Sequence, residues 1–204
     1  MLVVSTLAEL VLAQGQSEDV AIVQELLTNF GHRSAEHLAL VELPLAERDL
    51  LDNAPHRASE RLAPLRDYHL VPTGMIHPVT LLAWAALASG DDQGASAYLE
   101  QGDRQMHWRS YAPDHLRVKT LLAMKQKRWQ DAEKYLDEAV SLAHSMPYPY
   151  AEAKALYVYG QLYASIGIPT QAAEKFIEAL AILNRLGERL YAEHVERALA
   201  EIDR

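Results

Sequence analysis

Cysteine is missing from all 204 residues, which excludes a disulfide framework, a thiolate metal site and a cysteine nucleophile. Positive charge is scarce: 19 Lys and Arg stand against 28 Asp and Glu, the formal net charge is -9, and no basic cluster stands out. Since nucleic-acid binding rests on neutralising phosphates, DNA and RNA are poor candidate ligands for this chain. No apolar run reaches the 18 or so residues of a membrane span. There is no GxxxxGK phosphate loop and no HExxH metal motif, so no nucleotide, metal or other cofactor is expected. The nine glycines fall mostly where helices would end. Phenylalanine occurs only twice, and no enzymatic site is expected.

What the chain has is Ala and Leu in register. The stretch YGQLYASIGIPTQAAEKFIEAL carries Gly160 and Tyr163, then a Gly-Ile-Pro-Thr break, then Ala172, Phe176 and Ala179 at helical spacing. Small residues mark the close approach of two helices packed back to back, and aromatic rings fill the space beside them. Steps of 37 to 40 residues back from Ala172 reach Ala132, Ala95, Ala58 and Val20. Twelve residues before each lie Gly160, Thr120, Ala83, Ala46 and Ala8, all small. Five before each lie Gly167, Lys127, Gly90, Asn53 and Gly15, suited in four cases to the left-handed conformation that ends a helix. Four after lie Phe176, Leu136, Leu99, Leu62 and Gln24, and seven after lie Ala179, Ala139, Gly102, Leu65 and Leu27.

Agreement at five offsets predicts an all-α fold: one repeat domain over 1–204, a right-handed α-α superhelix of about five hairpins with a C-terminal capping helix. The hairpins are expected at about 1–31, 34–68, 76–112, 114–145 and 150–186, and the cap at 188–203. LVVSTLAELVLAQG has Glu9 inside its apolar run and no basic start, and it fits the register, so it reads as a packed helix. A cytoplasmic protein is expected.

The second hairpin is the least regular. Pro44 should kink or restart its first helix, and Asp49 stands where other repeats carry Val11, Ala86, Ala123 and Tyr163, with Leu50 and Leu51 expected to take over that contact. Pro64 is placed to bend the last turn of the second helix, and 69–78, with two prolines and Gly74, reads as a hinge. Asp114 is expected to cap the fourth hairpin. In the final helix Leu190, His194 or Val195, Ala198 and Ile202 should face inward, and Glu188, Arg189, Glu193, Glu196, Arg197 and Glu201 outward.

Chemistry is sparse. His107 and His115 straddle Pro113 and read as exposed histidines; Ser110, Asp114 and His115 read as surface polar residues, since a triad is recognised by geometry. Trp108 and Tyr111 suggest a loop-packing cluster, and Trp129 belongs to the core. The first helix of each hairpin is expected to line a concave groove with Ser5, Glu9 and Leu12; Thr80, Trp84 and Leu87; Arg117, Leu121 and Met124; and Lys154, Tyr157 and Gln161. Trp84, Arg117, Tyr157 and Gln161 would together offer a platform with a cation and an amide, a combination suited to ligand capture. Trp84 equally suits packing between neighbouring hairpins.

The pattern from Gly160 to Ala179 resembles tetratricopeptide repeats, at a spacing longer than the usual 34 residues. The segments LLAMKQKRWQDAEKYLDEAVSLA and LYVYGQLYASIGIPTQAAEKFIEALAILNRLGERLYAEHVERAL are similar to a narrower group: the helical-repeat region of bacterial signal-transduction ATPases with numerous domains (STAND), including MalT-like and LuxR-type transcriptional regulators. The resemblance spans essentially the whole chain, most strongly from Val79 onward. It implies a non-enzymatic sensor or protein-interaction arm that binds a protein, a peptide or a small effector in the groove and is able to self-associate, without direct nucleic-acid or membrane contact. The NTPase and helix-turn-helix modules of that family are not in these residues, so their activities would belong to a longer parent chain. The alternative is a free-standing adaptor that binds peptides or a partner protein. Carboxylate-clamp recognition is disfavoured there, because Asn29, Asn53 and Asn184 are not expected in the groove.

Overall fold

Five helix ends in the computed structural model close in the same way. At Asn53, Gly90, Lys127, Gly167 and Gly187 the chain takes a positive φ of 56°, 86°, 58°, 78° and 71°. The amide of each donates to the carbonyl three residues back, and the next amide reaches back five: Ala54 to Asp49, Asp91 to Ala86, Arg128 to Ala123, Ile168 to Tyr163 and Glu188 to Leu183, at 2.7–3.0 Å. This paired closure satisfies the orphaned carbonyls of a helix end and reverses the chain within three residues. Four of the five residues are those that the repeat register selects, so one turn chemistry recurs at one repeat offset.

The structure describes residues 25, 35–66, 77–105 and 109–202. The expected hairpin 1–31, with Ser5, Glu9, Leu12, Gly15 and Val20, lies outside the described residues apart from Glu25, as do His107, Trp108 and most of the expected hinge. The described residues are helical throughout, with short turns and no strand. They form α1 (Ala35–Leu51), α2 (Pro55–Leu62), α3 (Pro78–Ala88), α4 (Asp92–Gln105), α5 (Ala112–Lys125), α6 (Trp129–Ser145), α7 (Pro149–Ser165), α8 (Pro169–Leu186) and α9 (Leu190–Ile202). Consecutive helices pack on one another from α1 to α3 and again from α5 to α9, in an arrangement compatible with a helical repeat. The chain divides into two compact units, residues 1–98 and 99–204. No described helix is long and apolar enough to cross a membrane.

In the first unit α1, α2 and α3 share a core of Leu43, Ala46, Leu50, Ala58, Leu62, Leu65, Leu81 and Ala85. Pro44 does not restart α1, which runs through it from Ala35 to Leu51. Pro64 sits in a 3-10 turn, Ala63–Leu65, that tightens the end of α2 and still buries Leu65. Leu50 takes the contact assigned to it, but Asp49 is buried beside it. Its carboxylate accepts from Arg61 Nε at 2.7 Å and lies 3.3 Å from Arg57, and Arg61 also reaches Glu42 at 2.9 Å. The irregular register of this hairpin is therefore an ion pair between α1 and α2, where other repeats place an apolar or aromatic side chain.

In the second unit the small residues lie where the register puts them. Ala132, Ala139, Ala172 and Ala179 are wholly buried, with Leu136 and Phe176 beside them. Gly160 on α7 admits the Phe176 ring of α8 so closely that a β-carbon there would fall 2.4 Å from it. Trp129 is partly buried against this core, as expected. The cap α9 differs from its reading in two respects. Of the residues expected inward only Val195 is fully buried, with Leu190, Ala198 and Ile202 half-buried, and the helix turns Tyr191 and Ala192 to the core instead. Glu188, assigned to the outer face, is buried as well. The Glu188 carboxylate accepts the backbone amides of Tyr191 at 3.0 Å and Ala192 at 3.3 Å, holding a negative charge at the start of the helix.

Candidate functional site

The residues expected to line a groove are mostly packed between helices. Thr80 and Trp84 belong to α3 in the first unit; Thr80 is fully buried, and Trp84 is partly buried against the α1–α3 core. In the second unit, α5 carries Arg117 and Leu121, and α7 carries Lys154, Tyr157 and Gln161. Arg117 is 1% exposed, Lys154 2% and Tyr157 9%, whereas Leu121 and Gln161 are half-buried.

Burying two cations takes a carboxylate, and Asp114 provides it. Asp114 does not cap its helix: α5 starts two residues earlier at Ala112, behind Tyr111. Nor are Asp114 and His115 surface residues, being 1% and 4% exposed. One oxygen of Asp114 accepts from Arg117 Nε at 3.1 Å, a turn along the same helix. Lys154 Nζ, arriving from α7, lies 2.8 Å from one oxygen and 3.0 Å from the other. Burial alone would push the Asp114 carboxyl up, but the Lys154 ammonium and the Arg117 guanidinium outweigh it and hold it below the ordinary carboxylate value. The same ammonium sits 4.9 Å from the Tyr150 ring centre and 5.8 Å from that of Tyr191 on α9. Tyr157 meets Phe176 and Tyr191 at ring separations of 5.9 and 6.2 Å, and its burial raises the phenol's pKa. Lys154 and Tyr157 thus join α5, α7, α8 and α9 in one packed polar and aromatic layer. His115 bonds Asp103 of α4 at 3.1 Å, and Lys119 reaches the same carboxylate at 2.6 Å.

The opposite side of α7 is open. Glu152, Leu156, Tyr159 and Tyr163 form the floor of a groove of about 600 Å³, walled by Asp137, Val140, Ser141, His144 and Ser145 of α6 and by Lys175 and Glu178 of α8. The Tyr159 and Tyr163 rings stack at 5.0 Å. Their hydroxyls donate to Asp137 at 2.8 Å and to Glu133 at 3.2 Å. Burial first, and then the bond to Asp137, raises the Tyr159 pKa, so this phenol stays protonated and donating. Sequence reasoning passed over this face, although Glu152, Leu156, Tyr159 and Tyr163 recur at helical spacing and mark a stripe of their own. Among the described residues no group of three His or acidic side chains converges to hold a metal ion.

No family model matches the chain, and no curated protein matches it either.

Proposed function

We propose that this chain is a non-enzymatic binding module of the tetratricopeptide type, acting as the sensor or protein-interaction arm of a bacterial STAND-type, MalT- or LuxR-like signalling or transcriptional regulator. Its hairpins would continue into a right-handed superhelix and take a protein, a peptide or a small effector along the row of first helices. The observation behind this reading is the recurrence of one helix-ending turn at Asn53, Gly90, Lys127 and Gly167, each at the same place in its repeat. Units that end alike stack alike, and such stacks present long surfaces suited to partners. In the second unit Arg117, Lys154 and Tyr157 hold the helices together, and this reading gives the half-buried Leu121 and Gln161 there to the ligand.

The test is a thermal-shift screen of the purified chain against effector metabolites and peptides, repeated on a Leu121→Ala, Gln161→Ala double variant. The reading expects a saturable rise in melting temperature that shrinks at least tenfold in apparent affinity in the variant. Binding of equal strength in the variant, or no shift with any compound, overturns it.

A further inference from the structure

The groove over Glu152, Leu156, Tyr159 and Tyr163 lies on the face of α7 turned away from Lys154, Tyr157 and Gln161. Along α7 it runs from Glu152 to Tyr163, on the order of 16 Å at the rise of an α-helix, which matches about five residues of extended chain. Its floor is apolar and aromatic: Leu156 is buried, and the stacked Tyr159 and Tyr163 rings lie beside it. Its charge is mostly acidic. Asp137 and Glu178 on the walls and Glu152 at one end of the floor stand against one permanent cation, Lys175.

Lys175 shows what this surface accommodates. Its ammonium lies 5.7 Å from the Tyr159 ring centre and 3.0 Å from both oxygens of Glu178, held between a ring and a carboxylate. On the opposite wall Asp137 takes one bond from the Tyr159 hydroxyl and is otherwise open to solvent. Glu152 lies near the floor, 3.5 Å from the exposed His144 ring. An incoming ammonium or guanidinium at the Asp137 and Glu152 side would meet carboxylates and the same pair of rings. An anionic ligand would meet three carboxylates on a chain whose net charge is -9.

The geometry points to this groove as a docking site for a short, Lys- or Arg-bearing segment of a partner protein, its basic side chains facing Asp137 and Glu152 and its apolar side chains lying on Leu156 and the tyrosine pair. The length and openness of the groove favour a polypeptide over a compact amine.

The experiment uses the full chain and fluorescence anisotropy with labelled nine-residue peptide pools. Lys or Arg occupies alternate positions of one pool, with randomised apolar and aromatic residues between, and Glu replaces them in a control pool. The basic pool should bind saturably, weaken at least tenfold between low and moderate salt, and weaken at least tenfold in an Asp137→Asn, Glu152→Gln variant whose circular dichroism is unchanged. A Leu121→Ala, Gln161→Ala variant should bind the basic pool as the parent does, separating this site from the one proposed above. Equal binding of the Glu pool, an unaltered affinity in Asp137→Asn, Glu152→Gln, or no saturable binding of the basic pool overturns the proposal. So does spermidine binding that matches or exceeds the basic pool, since the groove would then recognise amines without a polypeptide.

Discussion

Replacing Gly160 by Ala sets two effects against each other. A β-carbon there would lie 2.4, 2.5 and 2.9 Å from three carbons of the Phe176 ring, where ordinary carbon contacts are about 3.5–4.0 Å. The ring has to retreat by about 1 Å, yet it is 1% exposed and backed by Tyr157, whose own ring rests on Tyr191. Overpacking of this kind costs about 1–3 kcal/mol. Against it, Ala is better than Gly inside a helix by about 1 kcal/mol. The expected net result is a loss of about 1 kcal/mol, read as a lower urea midpoint by circular dichroism. The decisive measurement is a double-mutant cycle with Phe176→Leu: once the ring is gone, Gly160→Ala should become neutral or stabilising, a coupling of about 1–3 kcal/mol. A higher midpoint for Gly160→Ala alone, or the same shift in both backgrounds, would refute the close-approach argument.

Three further outcomes are expected. Asp114→Asn removes the carboxylate facing buried Lys154 and Arg117 and should cost about 3–5 kcal/mol at neutral pH by urea unfolding. Because the folded pKa of Asp114 is depressed, its contribution is full above the unfolded value near 4 and is lost as pH falls through the folded value; the gap between parent and variant should therefore close in acid, and a constant gap from pH 7 to pH 2 would count against it. Lys127→Gly places glycine at a φ of 58° in an exposed turn and should raise stability by about 1 kcal/mol, checked by the urea midpoint, with a decrease as the contrary result. Glu188→Ala strips two amides of their acceptor and should cost about 0.5–2 kcal/mol, with faster amide exchange at Tyr191 and Ala192 as the local readout.

Small side chains carried most of what the sequence disclosed about the fold. Ala58, Ala95, Ala132 and Ala172 recur because two helices cannot approach over anything larger, and Asn53, Gly90, Lys127 and Gly167 recur because the turn needs a positive φ. Both constraints are local and periodic, so they are written at fixed offsets. Buried charge is neither. Asp114, Arg117 and Lys154 look like surface residues one at a time, and the bond that buries them joins positions 40 residues apart. Asp49 hides its role in the same way, because Arg61 sits on the next helix. Glu188 was more accessible: an acid directly after the helix-ending Gly187 and at the start of a new apolar stripe is a capping signature. The stripe from Glu152 to Tyr163 was legible as a face, but only the positions of α6 and α8 make that face a groove.

Lys154 has a consequence for how the second unit comes apart. In a stack of hairpins each member ordinarily touches only its neighbours, so an end can fray while the middle persists. Here one ammonium is shared between Asp114 on one side and the Tyr150 and Tyr191 rings on the other, so stripping away the last helix uncovers a charge whose counterion belongs to the hairpin before. The segment from Ala112 to Ile202 is accordingly expected to melt as one block, its terminal helix denied the independent fraying that linear arrays usually allow.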